Sequence, residues 1–209
     1  MNLEQLLKKV IHLLKEQKGR YALAGGLVAS IYRVNERLTK DIDFLFLSEP
    51  KSLQKAQQII EQINLTPHIV RKADLAGGPL FAIKSKKTEP YMVLGRGTKD
   101  DLGLDFILPS MPWFESALIR AEHNEIDFGF ARIPCLTVED LIISKLFSYQ
   151  QDQSRFNDLD DLKSIFQANH TLDFAYLTAQ MNKLEVTVPK TLKTFTPDIL
   201  KKFRTPKKK

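Results

Sequence analysis

Two stretches decide how this chain folds: Tyr21-Ala22-Leu23-Ala24-Gly25-Gly26-Leu27 and, a few residues on, Asp41-Ile42-Asp43-Phe44-Leu45-Phe46-Leu47. Tyr21 to Ala24 reads as a short buried strand, Gly25-Gly26 as a tight turn, and Leu27 to Tyr32 as a helix beginning at the glycines. Ile42 to Leu47 is apolar and β-prone and is bounded by Ser48-Glu49-Pro50. It is therefore a central strand with its charged residues at the entrance. Alternation along a strand sends Asp41 and Asp43 to the same face. Two like charges so close at the mouth of an apolar strand repel each other, and a cation must compensate them. Mg²⁺ suits the pair, because it takes carboxylate oxygens and keeps positions open for water and phosphates, and a solvated strand edge or a helix-capping Asp is the plain alternative for an isolated Asp-x-Asp.

Working outward, Leu3, Leu6, Leu7, Val10, Ile11 and Leu14 have helical spacing, and Gly19 stops that first helix. Downstream, Leu53, Ala56, Ile60 and Ile63 mark an amphipathic helix. Strand candidates follow at His68 to Val70, Leu80 to Ile83, Tyr91 to Leu94, Leu102 to Leu108 and Glu125 to Ile133. From Thr137 the pattern turns helical: Val138 to Tyr149, then Leu159 to Phe166, then a short helix around Leu172 to Met181. Mixed strands and helices followed by a helical end predict an α+β fold. The expected division is a mixed-sheet core over residues 1–135 with flanking helices, a small helical subdomain over 136–185 that completes the site, and a flexible basic tail over 186–209.

Asp105 sits inside the predicted strand Leu102 to Leu108, where an unpaired charge is costly. If that strand lies beside the one bearing Asp41 and Asp43, three carboxylates converge on a site able to hold two Mg²⁺ ions. Asp100, Asp101 and Asp127 compete for the third position, the first two from a loop. The glycines at Gly25-Gly26 let backbone N–H groups approach phosphate oxygens with the helix N-terminus behind them, although Gly-Gly is also an ordinary turn. Lys145 lies on the stripe of Leu141 and Ile142 that should face the core, so it needs an anionic partner. A triphosphate, Asp158 or Asp161 would serve, and snorkelling to solvent is the plain alternative. Asp140 fits the first turn of a helix capped by Thr137.

The net charge is +6, yet residues 190–209 hold eight Lys or Arg against one Asp, which leaves 23 basic and 24 acidic residues in 1–189. The basicity belongs to the tail, where Lys201-Lys202-Phe203-Arg204-Thr205-Pro206-Lys207-Lys208-Lys209 could hold RNA phosphates or simply be solvated. The single cysteine, Cys135, excludes an internal disulfide and a Cys-based zinc cluster and reads as a packing residue. No apolar run is long enough to cross a bilayer, and the N-terminus lacks the layout of a signal peptide. A cytoplasmic protein without membrane contacts is expected.

Gly25-Gly26, Arg37-Leu38-Thr39-Lys40-Asp41-Ile42-Asp43-Phe44 and Asp105 together resemble the signature of nucleotidyltransferases of the DNA polymerase β-like superfamily. In the second half, Asp140-Leu141-Ile142-Ile143-Ser144-Lys145 resembles the Asp, four residues, Lys motif of the AbiEii-like branch, and Arg155-Phe156-Asn157-Asp158-Leu159-Asp160-Asp161-Leu162 resembles the basic segment that follows it. The branch's basic-hydrophobic-basic motif has only a loose counterpart in Lys84-Ser85-Lys86-Lys87, and its large helical C-terminal region is not matched. The resemblance implies transfer of a nucleoside monophosphate from an NTP to a hydroxyl. Asp41, Asp43 and Asp105 would be the catalytic metal ligands. Gly25, Gly26, Thr39 and Lys145 would hold the nucleotide, supported by Arg37, Asp140, Asp158 and Asp161. The acceptor is an RNA 3′ end, a protein or a small molecule, and a cognate toxin or antitoxin protein is an expected partner. Two other readings are a catalytically silent antitoxin or RNA-binding module of the same fold, and a bare α+β interaction protein.

Overall fold

The computed structural model describes residues 2–71, 89–97, 102–168 and 170–203. The expected strand at Leu80 to Ile83, the segment Lys84 to Lys87, and the rival acids Asp100 and Asp101 lie outside the described residues. Helix α1 (Leu3–Glu16) begins with a capping box: the Gln5 N–H donates to Asn2 Oδ1 at 2.8 Å, and the Asn2 N–H donates to Gln5 Oε1 at 3.0 Å. Its stripe of Leu6, Leu7, Val10, Ile11 and Leu14 is buried.

Strand β1 (Arg20–Ala24) runs into helix α2 (Gly25–Tyr32), and β2 (Asp41–Leu47) is followed by α3 (Ser52–Gln62), β3 (Thr66–Arg71), β4 (Pro90–Arg96) and β5 (Gly103–Ile107). The strands form one mixed sheet in the order β1-β2-β5-β4-β3, in which only the β2–β5 pair is parallel. On one face of that central pair Ile42, Phe44, Leu104 and Phe106 are fully buried, with the Phe44 and Phe106 rings stacked at 6.1 Å between centroids. Ile60 of α3 presses on this face so closely that a Cβ on Gly95 would lie 3.0 Å from its side chain. Truncating Phe44 or Phe106 to Ala would cost roughly 3–5 kcal/mol, as for other fully buried aromatics. The opposite face carries Asp41, Asp43 and Asp105, under α2.

The remaining elements are α4 (Phe114–Ala121), β6 (Glu125–Asp127), β7 (Arg132–Pro134), α5 (Val138–Gln151), α6 (Phe156–Gln167) and α7 (Phe174–Lys183). The chain joins α5 to the sheet through Leu136, whose N–H donates to the Leu23 carbonyl at 2.9 Å. Helix α2 touches the sheet on one side and α5 and α6 on the other, which fixes the helical arm over the acidic face.

Two expectations are corrected and one helix is added. The single strand expected over Glu125 to Ile133 is a hairpin, because Gly129 adopts φ +79° and its N–H donates to Asp127 Oδ1. Helix α4 had no counterpart in the sequence reading: Trp113 at its N-cap makes no side-chain capping bond, which leaves Glu115 in the first turn as a weak start signal. The flexible tail expected from residue 186 is instead packed as far as the description reaches, at Phe203. Val186, Val188, Leu192, Thr196 and Leu200 are buried, and short 3-10 turns at Lys190–Leu192 and Asp198–Leu200 carry the apolar residues inward. The Thr187 N–H donates to Gln150 Oε1 at 2.9 Å, which ties the segment to α5. Sparse apolar residues among lysines suffice to hold it.

Candidate active site

Strand register brings the acids together. Asp43 pairs directly with Asp105 across β2 and β5, and Asp41 pairs with Gly103, so all three carboxylates stand on one face. Asp105 is 7% exposed. Asp43 is shaped by the start of α2: Gly25 has φ +62°, and a Cβ there would lie 1.8 Å from Asp43 Oδ2. Only glycine permits that approach. The Gly26 N–H faces the Asp43 carboxylate and favours its charged form. The glycine turn therefore positions the acid as well as opening a helix N-terminus.

Burial, the neighbouring Asp105 and then Asp41 push the Asp43 carboxyl up to about 7, against the opposing influence of Lys145 and the Gly26 N–H. Burial likewise pushes Asp105 up, opposed by Arg96, whose guanidinium grips both carboxylate oxygens, Nη1 on Oδ1 and Nη2 on Oδ2, the latter at 2.8 Å. The site is short of positive charge at Asp43, whereas Asp105 has the Arg96 guanidinium as a partner that offsets part of the cost of its burial.

Lys145 is buried at 5% exposure, so the snorkelling alternative is excluded. Its Nζ lies 2.8 Å from Asp158 Oδ1 and 2.7 Å from Asp161 Oδ2, so both expected acidic partners are found. Burial acts to raise the Asp158 carboxyl, but Lys145 and Arg155 prevail and hold it below the usual carboxylate range. Arg155 Nε sits 2.5 Å from Asp158 Oδ2. Fully buried Asp161 also meets Arg33 and lies 3.7 Å from Arg37 Nε. The Arg37 guanidinium and Thr39 hydroxyl crowd Gly26, where a Cβ would lie 2.7 Å from Arg37 Nη2 and 3.1 Å from Thr39 Oγ1.

These groups enclose a polar cleft of about 470 Å³, lined by Gly25, Gly26, Arg37, Thr39, Asp41, Asp43, Arg96, Asp105, Lys145 and Ser154 through Asp158. Two expected members stand outside that lining. Asp161 backs it through Lys145. Asp140 is turned to other partners, held by Thr137, Arg120 and the Tyr176 hydroxyl, and braces the start of α5. The rival Asp127 caps the Gly129 turn and is no part of the cleft. Cys135 is buried and burial pushes its thiol up to about 12, which suits packing. The sequence reading missed Arg96, although the alternation of Met92, Leu94 and Arg96 continues β4 onto the acidic face. Phe156 and Asn157 also line the cleft, two residues to which local sequence pattern assigns no part in the site.

The acids suit a hard divalent cation. Among the described residues no group of three or more His, Cys, Asp or Glu side chains is placed to hold a metal ion, but Mg²⁺ is commonly held by one or two carboxylates with substrate phosphates completing its shell. Asp41 and Asp43 offer such a pair, and the raised Asp43 carboxyl marks where positive charge is lacking.

A carboxylate-bearing mixed sheet opposed by a glycine-started helix and a helical arm defines a nucleotidyltransferase fold. The solution structure of the antibiotic-resistance factor ANT(2'')-Ia overlaps at TM-score 0.54 and 14% identity, over 88% of this chain and 94% of that one. The crystal structure of ANT(2'')-Ia in complex with adenylyl-2''-tobramycin overlaps at 0.52 and 13%, over 86% and 95%. A putative nucleotidyltransferase from H. pylori overlaps at 0.48 and 17%, over 97% and 85%. No curated protein matches the sequence. The model of the family described as nucleotidyl transferase AbiEii toxin, type IV TA system, matches residues 12–209, and the chain belongs to that family. It is a nucleotidyltransferase. No described helix is long and apolar enough to cross a membrane.

Proposed function

We propose that the cleft transfers a nucleoside monophosphate from an NTP to an acceptor hydroxyl with Mg²⁺ as cofactor, the acceptor oxygen forming a bond to the α-phosphorus as the bond to the β-phosphate breaks and pyrophosphate leaves. The observation that carries this reading is the pairing of Asp43 with Asp105 beside Asp41 in a polar cleft opposite the N-terminus of α2. When bound there, Mg²⁺ would polarise the phosphates and neutralise charge that develops on them. Asp41 and Asp43 would hold the ion from their shared face. Asp105, next to them, orients the acceptor hydroxyl and takes up its proton. The open N–H groups of the first turn of α2, with no side-chain cap at Ala24, receive phosphate oxygens alongside Arg37 and Thr39. Lys145, pinned by Asp158 and Asp161, places a fixed positive charge opposite Asp43, and Arg155 at the rim meets the triphosphate.

Phe156 is 71% exposed although it lines the cleft, and Asn157 stands beside it. An exposed ring at the rim of a charged cleft is a stacking platform, here for the nucleobase, with the amide as an edge reader. Family membership supports a place in a toxin–antitoxin pair with a cognate partner protein. The acceptors that suit the chemistry are an RNA 3′ end, a protein hydroxyl and a small molecule. A silent binding module would have no use for a cluster of acids left short of positive charge at Asp43.

The test is transfer of label from α-³²P NTPs into RNA, protein or aminoglycoside by the purified chain. Mg²⁺-dependent labelling that Asp43→Ala abolishes is expected. No Mg²⁺-dependent product with any of these acceptors would favour the silent module.

A further inference from the structure

The sequence reading expected two metal ions, yet one of the three acids already has a cation. We infer that Arg96 stands where a second divalent ion would bind, so that the loaded site holds one ion, on Asp41 and Asp43, with the guanidinium supplying the other positive centre. This inference rests on the proposed function and goes further into the same site.

The geometry is specific. Arg96 engages both oxygens of Asp105, and its Nη1 also donates to the Gly95 carbonyl at 2.9 Å. Planar forked contact of this kind is what an arginine makes and a lysine cannot. Gly103 provides the room: a Cβ there would lie 2.0 Å from Asp41 Oδ1 and 2.9 Å from Arg96 Nη1. The Asp41 carboxylate and the guanidinium therefore converge over the one residue between them that has no side chain. Register explains why Arg96 arrives there. Leu94 of β4 pairs with Asp105, and two residues on, Arg96 returns to the same face at the strand's end.

Arg96 is not sealed in: its side chain is 38% exposed, and it lines the cleft. Its outer edge is open to a substrate phosphate. The nearly buried Asp105 would lose its only described ion-pair partner if the guanidinium left. An arginine tethered to a strand and always charged keeps its place where a solvated ion must first be dehydrated. Arg96 is on this view a positioning residue that fixes Asp105 and sets the ion count.

The experiment counts Mn²⁺ by the loss of its free EPR signal in the full chain with a stoichiometric α,β-methylene NTP. The wild type is expected to bind one Mn²⁺ per protein–nucleotide complex, Arg96→Lys one, and Arg96→Met two. Arg96→Met should also need about 10–100-fold more Mg²⁺ for transfer, the usual cost of losing a group that tunes metal ligands. Two ions in the wild type, or only one in a folded Arg96→Met, would overturn the inference and leave the proposed function standing. If Arg96→Met does not fold, the wild-type count decides alone. A wild type that binds no nucleotide would overturn both readings.

Discussion

Replacing Asp43 with Asn should make the metal-free protein more stable while removing its activity. The carboxyl lines the cleft beside Asp105 and Asp41, and burial together with those neighbouring charges pushes it up to about 7. Ionising a carboxyl so displaced from the ordinary aspartate value near 4 costs roughly 4 kcal/mol, at 1.36 kcal/mol per pH step. An amide keeps the shape and can still face the Gly26 N–H. The expected gain for Asp43→Asn at about pH 8 in EDTA is therefore about 2–4 kcal/mol, or roughly 5–15 °C in Tm for a chain of this size. The pH dependence has a definite sign. Between about pH 4 and 7 the native state holds a proton on Asp43 that the unfolded state has lost, so wild-type stability falls as pH rises through that window. The variant's advantage should vanish near pH 4, grow through pH 7 and stay constant above it. Thermal unfolding in EDTA across this range measures it. Adding Mg²⁺ should then reverse the order, since binding stabilises only the protein that binds. An Asp43→Asn variant no more stable than wild type at about pH 8, or one whose advantage is the same at pH 4, would refute the electrostatic reasoning.

Gly25→Ala places a Cβ on Asp43 and forces a left-handed backbone on alanine. It should cost about 1–3 kcal/mol in denaturant unfolding from the backbone alone, and it should abolish transfer. Lys145→Met leaves Asp158 and Asp161 facing each other with one cation fewer, and a loss of about 3–5 kcal/mol is expected in the same assay; an unchanged midpoint would mean the pair is solvated. Phe156→Ala should leave stability untouched because the ring is exposed, while the NTP KM rises by the roughly 1–3 kcal/mol of a lost stacking contact. An unaltered KM would place the base elsewhere.

Much of the sheet and of the acidic site was legible because it depends on local periodicity. Asp41 and Asp43 are two residues apart in an apolar run, so their common face follows from strand geometry alone, and Lys145 on the Leu141–Ile142 stripe foretold buried acidic partners. What escaped depends on register between distant segments. Arg96 reaches Asp105 only because β4 and β5 pair with Leu94 opposite Asp105, an alignment that no local pattern encodes. Asp140 fits the motif that suggested it, yet its carboxylate braces a helix start outside the cleft lining. The segment after Val186 looked like a charged tail because its lysines outnumber the apolar residues that anchor it. In the glycine turn the sequence suggested contact with phosphate, and the fold adds that the Gly26 N–H serves Asp43.

The central claim is that Asp41 and Asp43 share an ion that also holds a triphosphate. The most direct measurement is a crystal structure with Mn²⁺ and an α,β-methylene NTP, read by anomalous scattering. The predicted result is an Mn²⁺ peak bridging the Asp41 and Asp43 carboxylates, with the phosphates against the first turn of α2 and the base on Phe156. Nucleotide bound elsewhere, or bound in the cleft with no Mn²⁺ on either aspartate, would contradict it.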